Sequence, residues 1–537
     1  MGSIDRTPAM VDLSHHINSK SRARRASPLK DIIKFMSYDG MISFAGGLPH
    51  PSLFPLESAK FECLTPTAPL SGDRHQHKGQ SDDVLSLVLG RGPSPGDIDL
   101  TQFLQYGSGA GNRQLIDLAK ELTTEVHRPP CEFECLLHPG NTNAWAKVVG
   151  LLCEDSDFVI VEEFTYPSAQ ALWIPLGIKA VPFPADTEGI LTSSLRKTLL
   201  DWDEKERGAK RPHVLYLVSV GSNPTGITIP TQRRREIYDI CVEFDTIIVE
   251  DDPYYSLQYP SYHTPKEETF EPKTTKDFLN TLVPTFLSLD FQGRVIRLES
   301  FSKTLFPGLR LGYFVANPIF TERLLRATEV ETQDSAGLSQ GFVLALLNRW
   351  GVDGYLTWLQ NLQCQYRTRR DWLLDAFNRS FTVLPADKSP VPRDQGLVAC
   401  VESSQAGGEL RPVFSFVDPG AGMFVWCKFY FGGVERFAGI ESSGDSHDPE
   451  QDFADELWEA WARESVLLTP GSYYHAWQGP EKMTTRARGA EVRTAHFRFS
   501  FATPTRDQID FGVERLAKIV SRFWQQRYRL KWSTCCS

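Results

Sequence analysis

The stretch LESFSKTLFPGLRLGYFVANP, Leu298–Pro318, sets one lysine, Lys303, between the hydroxyls of Ser300 and Ser302 and a Pro-Gly turn, with Arg310 a short way on. A lysine on an ordinary solvated surface needs no such company. The stretch opens within one apolar run, RVIRLES, and closes on another, GYFVANP. Similar β-branched runs precede it: FVIVEE, HVLYLVSV and TIIVEDD, separated by helical or turn-forming sequence. Continuous apolar strands are buried on both faces, which marks a mostly parallel sheet between helix layers. ECLLHPG, ending at Gly140 and leading into the helically spaced TNAWAKVVGLLCE, belongs to the same pattern. Residues 100–348 therefore read as a large α/β domain.

Residues 349–537 change character. LQNLQCQYRTRRDWLLDAFNRS reads as a long helix, and GAGMFVWCKF, ESVLLTPGSYY and HFRFSFATP as antiparallel strands. DQIDFGVERLAKIVSRFWQQR closes as an amphipathic helix, so a smaller α+β domain is expected here. Before the large domain, residues 1–40 form an arm and a helix, with Ser27 as N-cap and Pro28 as first helical position of PLKDIIKFMS. The basic cluster KSRARRASP, Lys20–Pro28, reads as a solvated part of that arm. Residues 41–99 join an extended apolar wall, MISFAGGLPHPSLFPL, to a polar loop insertion over about Ala68–Asp97. Further insertions are expected at Pro265–Gly293, Val391–Pro412 and Gly479–Glu491.

The 537 residues carry a net charge of −10, with 41% hydrophobic and 23% charged residues, the composition of a globular protein. The acidic balance argues against nucleic acid as a partner, which calls for a basic face. Ten cysteines are scattered without CxxC spacing, and no metal-ligating pattern stands out. No signal-peptide pattern is present, and no apolar run approaches the ~20 residues a membrane helix needs. The expectation is a reduced, cytoplasmic protein without a membrane partner.

In an open α/β sheet, ligands bind beyond the carboxyl ends of the strands. Here those ends carry Gly140, Asn141 and Thr142 before a helix; Tyr166; GSNPTG with Asn223; the carboxylates of Asp251 and Asp252 in DDPYY; and Ser300 with Lys303. A glycine turn feeding a helix N-terminus suits a phosphate. A buried carboxylate needs a cation. The common ligand has a phosphate, a cationic ring nitrogen, a phenolic oxygen and a carbonyl for a lysine, which describes pyridoxal phosphate.

At this point the chain resembles the fold-type I pyridoxal-phosphate aminotransferases of class I/II, and most of all the fungal aromatic amino acid aminotransferases and the kynurenine/2-aminoadipate aminotransferases. The segments FAGGLPHPSLFP, LQYGSGAGN, PGNTNAW, VEEFTYPSA, SNPTG, EDDPYYSLQY, SFSKTLFPGLRLGY, PGAGMFVW, LLTPGSYY and FRFSF carry the likeness, from about Ile42 to Phe501. The resemblance implies a large domain with a mostly parallel sheet and a smaller C-terminal α+β domain. It implies that Lys303 holds the cofactor as a Schiff base and moves the substrate proton. Asp251, favoured over Asp252 by the motif register, pairs with the ring nitrogen. Tyr254 and Asn223 bond the ring hydroxyl, and Tyr166 stacks on the ring. Ser300, Arg310 and the backbone N–H groups of Asn141 and Thr142 bind the phosphate, and Tyr106 reaches it from the second subunit of a homodimer. Arg498 clamps the substrate carboxylate, and Gly47 and Leu48 line the substrate pocket. The phosphate turn reads Gly-Asn-Thr-Asn where many relatives have Ser-Gln, so the resemblance carries over its backbone donors and no side-chain role.

The expected activity is ping-pong transfer of the amino group of an aromatic amino acid to a 2-oxo acid such as 2-oxoglutarate, in primary or secondary metabolism. The alternatives are a 2-aminoadipate, lysine or kynurenine donor, or a lyase or decarboxylase reaction at the same site.

Overall fold

A computed structural model describes residues 6–26, 28, 35, 38–42, 44–45, 47–70, 81–92, 98–262, 270–402, 408–477 and 483–525. The helix expected from Ser27 and Pro28 lies largely outside the described residues.

The central sheet has seven strands: β4 (Glu134–His138), β5 (Phe158–Glu162), β6 (Lys179–Phe183), β9 (Val214–Leu217), β10 (Ile247–Asp251), β11 (Val295–Ser300) and β12 (Gly312–Ala316). Their order is β4-β12-β11-β10-β9-β5-β6. Only β12 runs antiparallel to its neighbours. Side chains alternate across the sheet, so each strand feeds two cores. Ile248, Leu215 and Val295 enter one; Val249, Tyr216 and Ile296 enter the other. The first core is closed by the helices Arg113–His127 and Thr231–Glu243 and by the first part of Gly337–Ser380. The second is closed by Asn141–Leu152, Pro167–Trp173 and Pro318–Glu331. The helix Gly337–Ser380 kinks at Gly351, where φ is 68°, a conformation a glycine takes without strain.

A second sheet, order β13-β14-β15-β16-β18-β17, is antiparallel throughout. It comprises β13 (Thr382–Pro385), β14 (Leu397–Glu402), β15 (Leu410–Phe416), β16 (Phe424–Tyr430), β17 (Thr469–Pro470) and β18 (Thr494–Ser500). With the helices Pro449–Arg463 and Arg506–Gln525 it encloses a separate aromatic-rich core.

Four expectations need correction. The insertion expected over Ala68–Asp97 contains β2 (Val84–Gly90), which pairs with β1 (Ser58–Leu64) and, through β3 (Ile98–Asp99), forms a three-stranded sheet. Its alternation VLSLVLG puts Leu87 and Leu89 into the large-domain core. Val391–Pro412 contains β14 and the start of β15. Pro265–Gly293 contains the short helices Thr275–Leu279 and Phe286–Leu289, and ESVLLTPGSYY yields only β17 and a 3-10 turn. The basic cluster is largely exposed, as expected, while the arm that carries it is tied to the large domain. Lys20 pairs with Asp155 at 2.7 Å and Arg24 with Glu331 at 2.8 Å, while Asn18 Nδ2 donates to Cys153 O at 2.6 Å. His15 and His16 both turn Nε2 toward Asp245, at 2.6 and 3.1 Å, a convergence without any signal in their spacing. A two-stranded ribbon, β7 (Ala185–Asp186) and β8 (Gly189–Ile190), completes the strands named here. Among the described residues, no helix is long and apolar enough to cross a membrane.

Beneath β10 and β11 lies a buried ionic network. Arg297 reaches Glu250 at 2.8 Å, Asp252 at 3.4 Å and Glu299 at 2.5 Å, and Arg234 reaches Glu250 at 3.0 Å. Breaking one partner strands a buried charge, which costs about 3–5 kcal/mol. Arg297→Met is accordingly expected to lower the urea midpoint by that equivalent, whereas exposed Lys20→Met leaves it within about 0.5 kcal/mol of wild type.

Candidate active site

The strand ends and β18 converge on a cavity of about 460 Å³, lined by Asn141, Thr142, Tyr166, Asn223, Asp251, Tyr254, Ser300, Lys303, Arg310 and Arg498. Three chemically distinct ends can be told apart.

At the acid end, strand alternation separates two neighbouring carboxylates. Asp252 turns into the ionic network, accepting from Ser219 Oγ at 3.0 Å and Val220 N at 2.9 Å. Asp251 turns the other way, into the cavity. Its Oδ1 accepts from Asn141 Nδ2 at 2.7 Å and its Oδ2 from the Tyr216 hydroxyl at 2.8 Å. Burial pushes the Asp251 carboxyl up; those two bonds and the nearby Arg297 charge pull it back. The donors bonded to it are neutral, so the acid faces the cavity without a bonded cation. Tyr216 and the Asn141 side chain were absent from the sequence expectations. A tyrosine alternating into an apolar strand carries no sign that its hydroxyl meets an acid on the neighbouring strand.

At the opposite end, Gly140 (φ 98°) precedes the helix Asn141–Leu152. A Cβ on Gly140 would lie 2.2 Å from Arg310 Nη2, so only glycine leaves the cup between turn and guanidinium open. His138 Nδ1 accepts the Gly140 N–H at 3.1 Å and fixes the turn. Burial, with the charges of Lys147 and Arg310, depresses this histidine to about 3, so it stays a neutral acceptor. Arg310 donates to Pro307 O at 3.1 Å and to Ser302 Oγ at 3.4 Å, neither of which neutralises it. Helix N-terminus, open cup and uncompensated guanidinium suit a phosphate-sized anion.

Between the two ends sits Lys303. Burial, then the charges of Arg310 and Arg498, lower its proton affinity, which favours the neutral, nucleophilic amine. Arg498 comes from the small domain. On β18 its neighbours Phe497 and Phe499 enter the aromatic core, which turns Arg498 toward the cavity. Its guanidinium stacks 4.2 Å from the Phe424 ring and 5.1 Å from the Tyr474 ring, and Nη1 donates to Asn223 Oδ1 at 2.6 Å. Among the described residues, no carboxylate pairs with Arg310 or Arg498, so both remain available to anions. Tyr254 is buried at the cavity wall, its hydroxyl pushed up by burial and by Asp251.

Three expected residues lie elsewhere in a single chain. Tyr106 is 67% exposed and lines a separate concavity with Pro49 and Phe54. Gly47 and Leu48 are exposed and do not line the Lys303 cavity.

The family profile described as aminotransferase class I and II matches residues 101–516, and the chain belongs to this family. The fold is fold-type I, and the chain is an aminotransferase. It is 33% identical over 513 residues to an aromatic amino acid aminotransferase of Schizosaccharomyces pombe, covering 95% of this chain and 98% of that one. It is 33% identical to an L-tyrosine:2-oxoglutarate aminotransferase of Serpula lacrymans, over 87% of this chain and 85% of that one. The crystal structure of an aminotransferase from Candida albicans superposes with a TM-score of 0.81 at 31% identity, covering 96% of this chain and all (100%) of that one.

Behind Asn223, Glu162 is buried at the end of β5 and accepts from Ser222 Oγ at 3.2 Å. Burial raises its carboxyl to about 7, the Ser222 bond opposing and the Glu163 charge adding. An unfolded chain releases this proton near ~4.3, so the folded state loses stability as pH rises from there to the folded value and stays flat above. Glu162→Gln is expected to raise the urea midpoint at pH 8 by the equivalent of up to about 3 kcal/mol, with the gain shrinking as pH falls toward 5.

Proposed function

We propose that this aminotransferase binds pyridoxal 5′-phosphate between Arg310 and Asp251 and transfers the amino group of an aromatic amino acid to a 2-oxo acid, 2-oxoglutarate being the expected acceptor. The carrying observation is that one cavity joins an open anion cup, a buried acid without a bonded cation, a lysine of lowered proton affinity and an unpaired arginine. The residues present fit the cofactor: the cup takes its phosphate, and Asp251 takes the N–H of its ring. Bound, the cofactor supplies an aldehyde carbon for amines and an electron-withdrawing ring.

The chain's own residues then divide the work. Lys303 Nζ would hold the aldehyde carbon in the resting enzyme; displaced from it by the substrate amine, it would be free to accept the α-proton and return it to the former aldehyde carbon. Arg498 grips the substrate carboxylate as a bidentate fork, pre-oriented by Asn223 Oδ1 and by the flanking rings of Phe424 and Tyr474. Asp251 would keep the ring nitrogen protonated, Tyr254 and Asn223 would bond the ring oxygen, and Tyr166 would cover a ring face. Ser300, Thr142 and the backbone of Asn141 would join Arg310 in holding the phosphate.

The aromatic donor is supported by the two relatives at 33% identity and by aromatic cavity walls. A mitochondrial kynurenine/alpha-aminoadipate aminotransferase of mouse, 28% identical over 95% of this chain, supports the alternative donors. A homodimer is part of the proposal. Phe44 (96% exposed), Ile42, Leu53 and Tyr106 are large apolar or aromatic side chains left exposed in a single chain, which a second copy would bury. A cytoplasmic location is supported by Cys135, Cys153, Cys241, Cys400 and Cys427, which are buried and outside any disulfide.

The wild-type enzyme is expected to absorb in the visible with the cofactor and to form 2-oxo acids from tyrosine or phenylalanine with 2-oxoglutarate. Lys303→Ala, folded by circular dichroism, is expected to lose both; retention of full transamination overturns the proposal. A donor screen in which 2-aminoadipate or kynurenine exceeds every aromatic amino acid reassigns the substrate. Tyr106→Phe is expected to weaken cofactor affinity while sedimentation still reports a dimer.

A further inference from the structure

We infer that Asn141, together with Tyr216, is a positioning residue that holds Asp251 in its ionised form and ties the anion cup to it. The inference rests on the cofactor reading above. Asn141 works at both ends of the cavity. Its backbone opens the helix that faces the anion cup, while its side chain crosses to the acid. Both amide N–H groups are spent: Nδ2 donates to Asp251 Oδ1 at 2.7 Å, on β10, and to Leu298 O at 2.9 Å, on β11. The amide carbonyl oxygen is buried and has no hydrogen-bond partner among the described residues. Turning the amide over would satisfy nothing, because its oxygen would then face two acceptor oxygens; the acid and the strand carbonyl dictate its orientation.

Tyr216 completes the arrangement from β9, donating to Asp251 Oδ2 at 2.8 Å. Each carboxylate oxygen thus carries one neutral donor. Neutral donors favour the ionised carboxyl, against the burial that raises it. A lysine or arginine at either position would do the same but would also neutralise the acid, removing its attraction for a cationic ring nitrogen. Asn and Tyr leave the negative charge to the ligand. With the donors present, the proton shared between Asp251 and the ring nitrogen resides on nitrogen; without them, the more basic carboxylate draws it away.

The test uses the holoenzyme loaded with pyridoxal 5′-phosphate labelled with ¹⁵N in the ring. Asn141→Ser keeps a helix-starting residue but is too short to reach Asp251; Tyr216→Phe removes the other donor while keeping the ring. In wild type the ¹⁵N shift is expected in the protonated pyridinium range. In both variants it is expected to move toward the neutral range, with kcat reduced about 10- to 100-fold, the equivalent of one hydrogen bond to a charged group. Variants whose ¹⁵N shift matches wild type overturn the inference, whatever their activity. A wild type that takes up no labelled cofactor instead overturns the cofactor reading, and the two failures are distinguished before any variant is made.

Discussion

The site depends on one constraint: a carboxylate buried at the end of a central strand must be stabilised without being neutralised. Alternation along β10 sends Glu250 and Asp252 to one face of the sheet and Asp251 to the other. On the first face, Arg234 and Arg297 balance the acids within the protein. On the second, among the described residues, only Asn141 and Tyr216 bond the acid. The same strand thereby carries a closed charge network and an open one, and the open one is where a cationic ligand gains most in a low-dielectric setting.

The substrate end is built across two cores. Arg498 is aimed by the aromatic core that takes up its neighbours Phe497 and Phe499, and it is oriented by Asn223 on the turn after β9. That 2.6 Å contact joins a strand of the small sheet to a turn of the central one at the cavity.

Much of this was legible from residue order. Lys303, Asp251, Arg310 and Arg498 lie in local patterns whose chemistry is unusual for their surroundings: a lysine among hydroxyls, acids closing an apolar strand, an arginine amid alternating aromatics. The structure brings these four into one cavity. The antiparallel pair β1 and β2 and the strands β14 and β15 were less legible, because strands set in polar, Gly- and Pro-rich sequence read locally as loops. The docking of the N-terminal arm had no local signal either, since its partners Asp155, Asp245 and Glu331 are more than a hundred residues away.

What the sequence determined by itself was the sheet, its two-faced alternation and the chemical types gathered at its strand ends, since periodicity and residue chemistry are local properties. Only the tertiary structure decided which of those groups meet. It paired Asp251 with Asn141 and Tyr216, sent Asp252 to Arg297, and, among the described residues, left Arg310 and Arg498 without an acid. Such pairings depend on distances between segments far apart along the chain, and spacing in the sequence does not encode them.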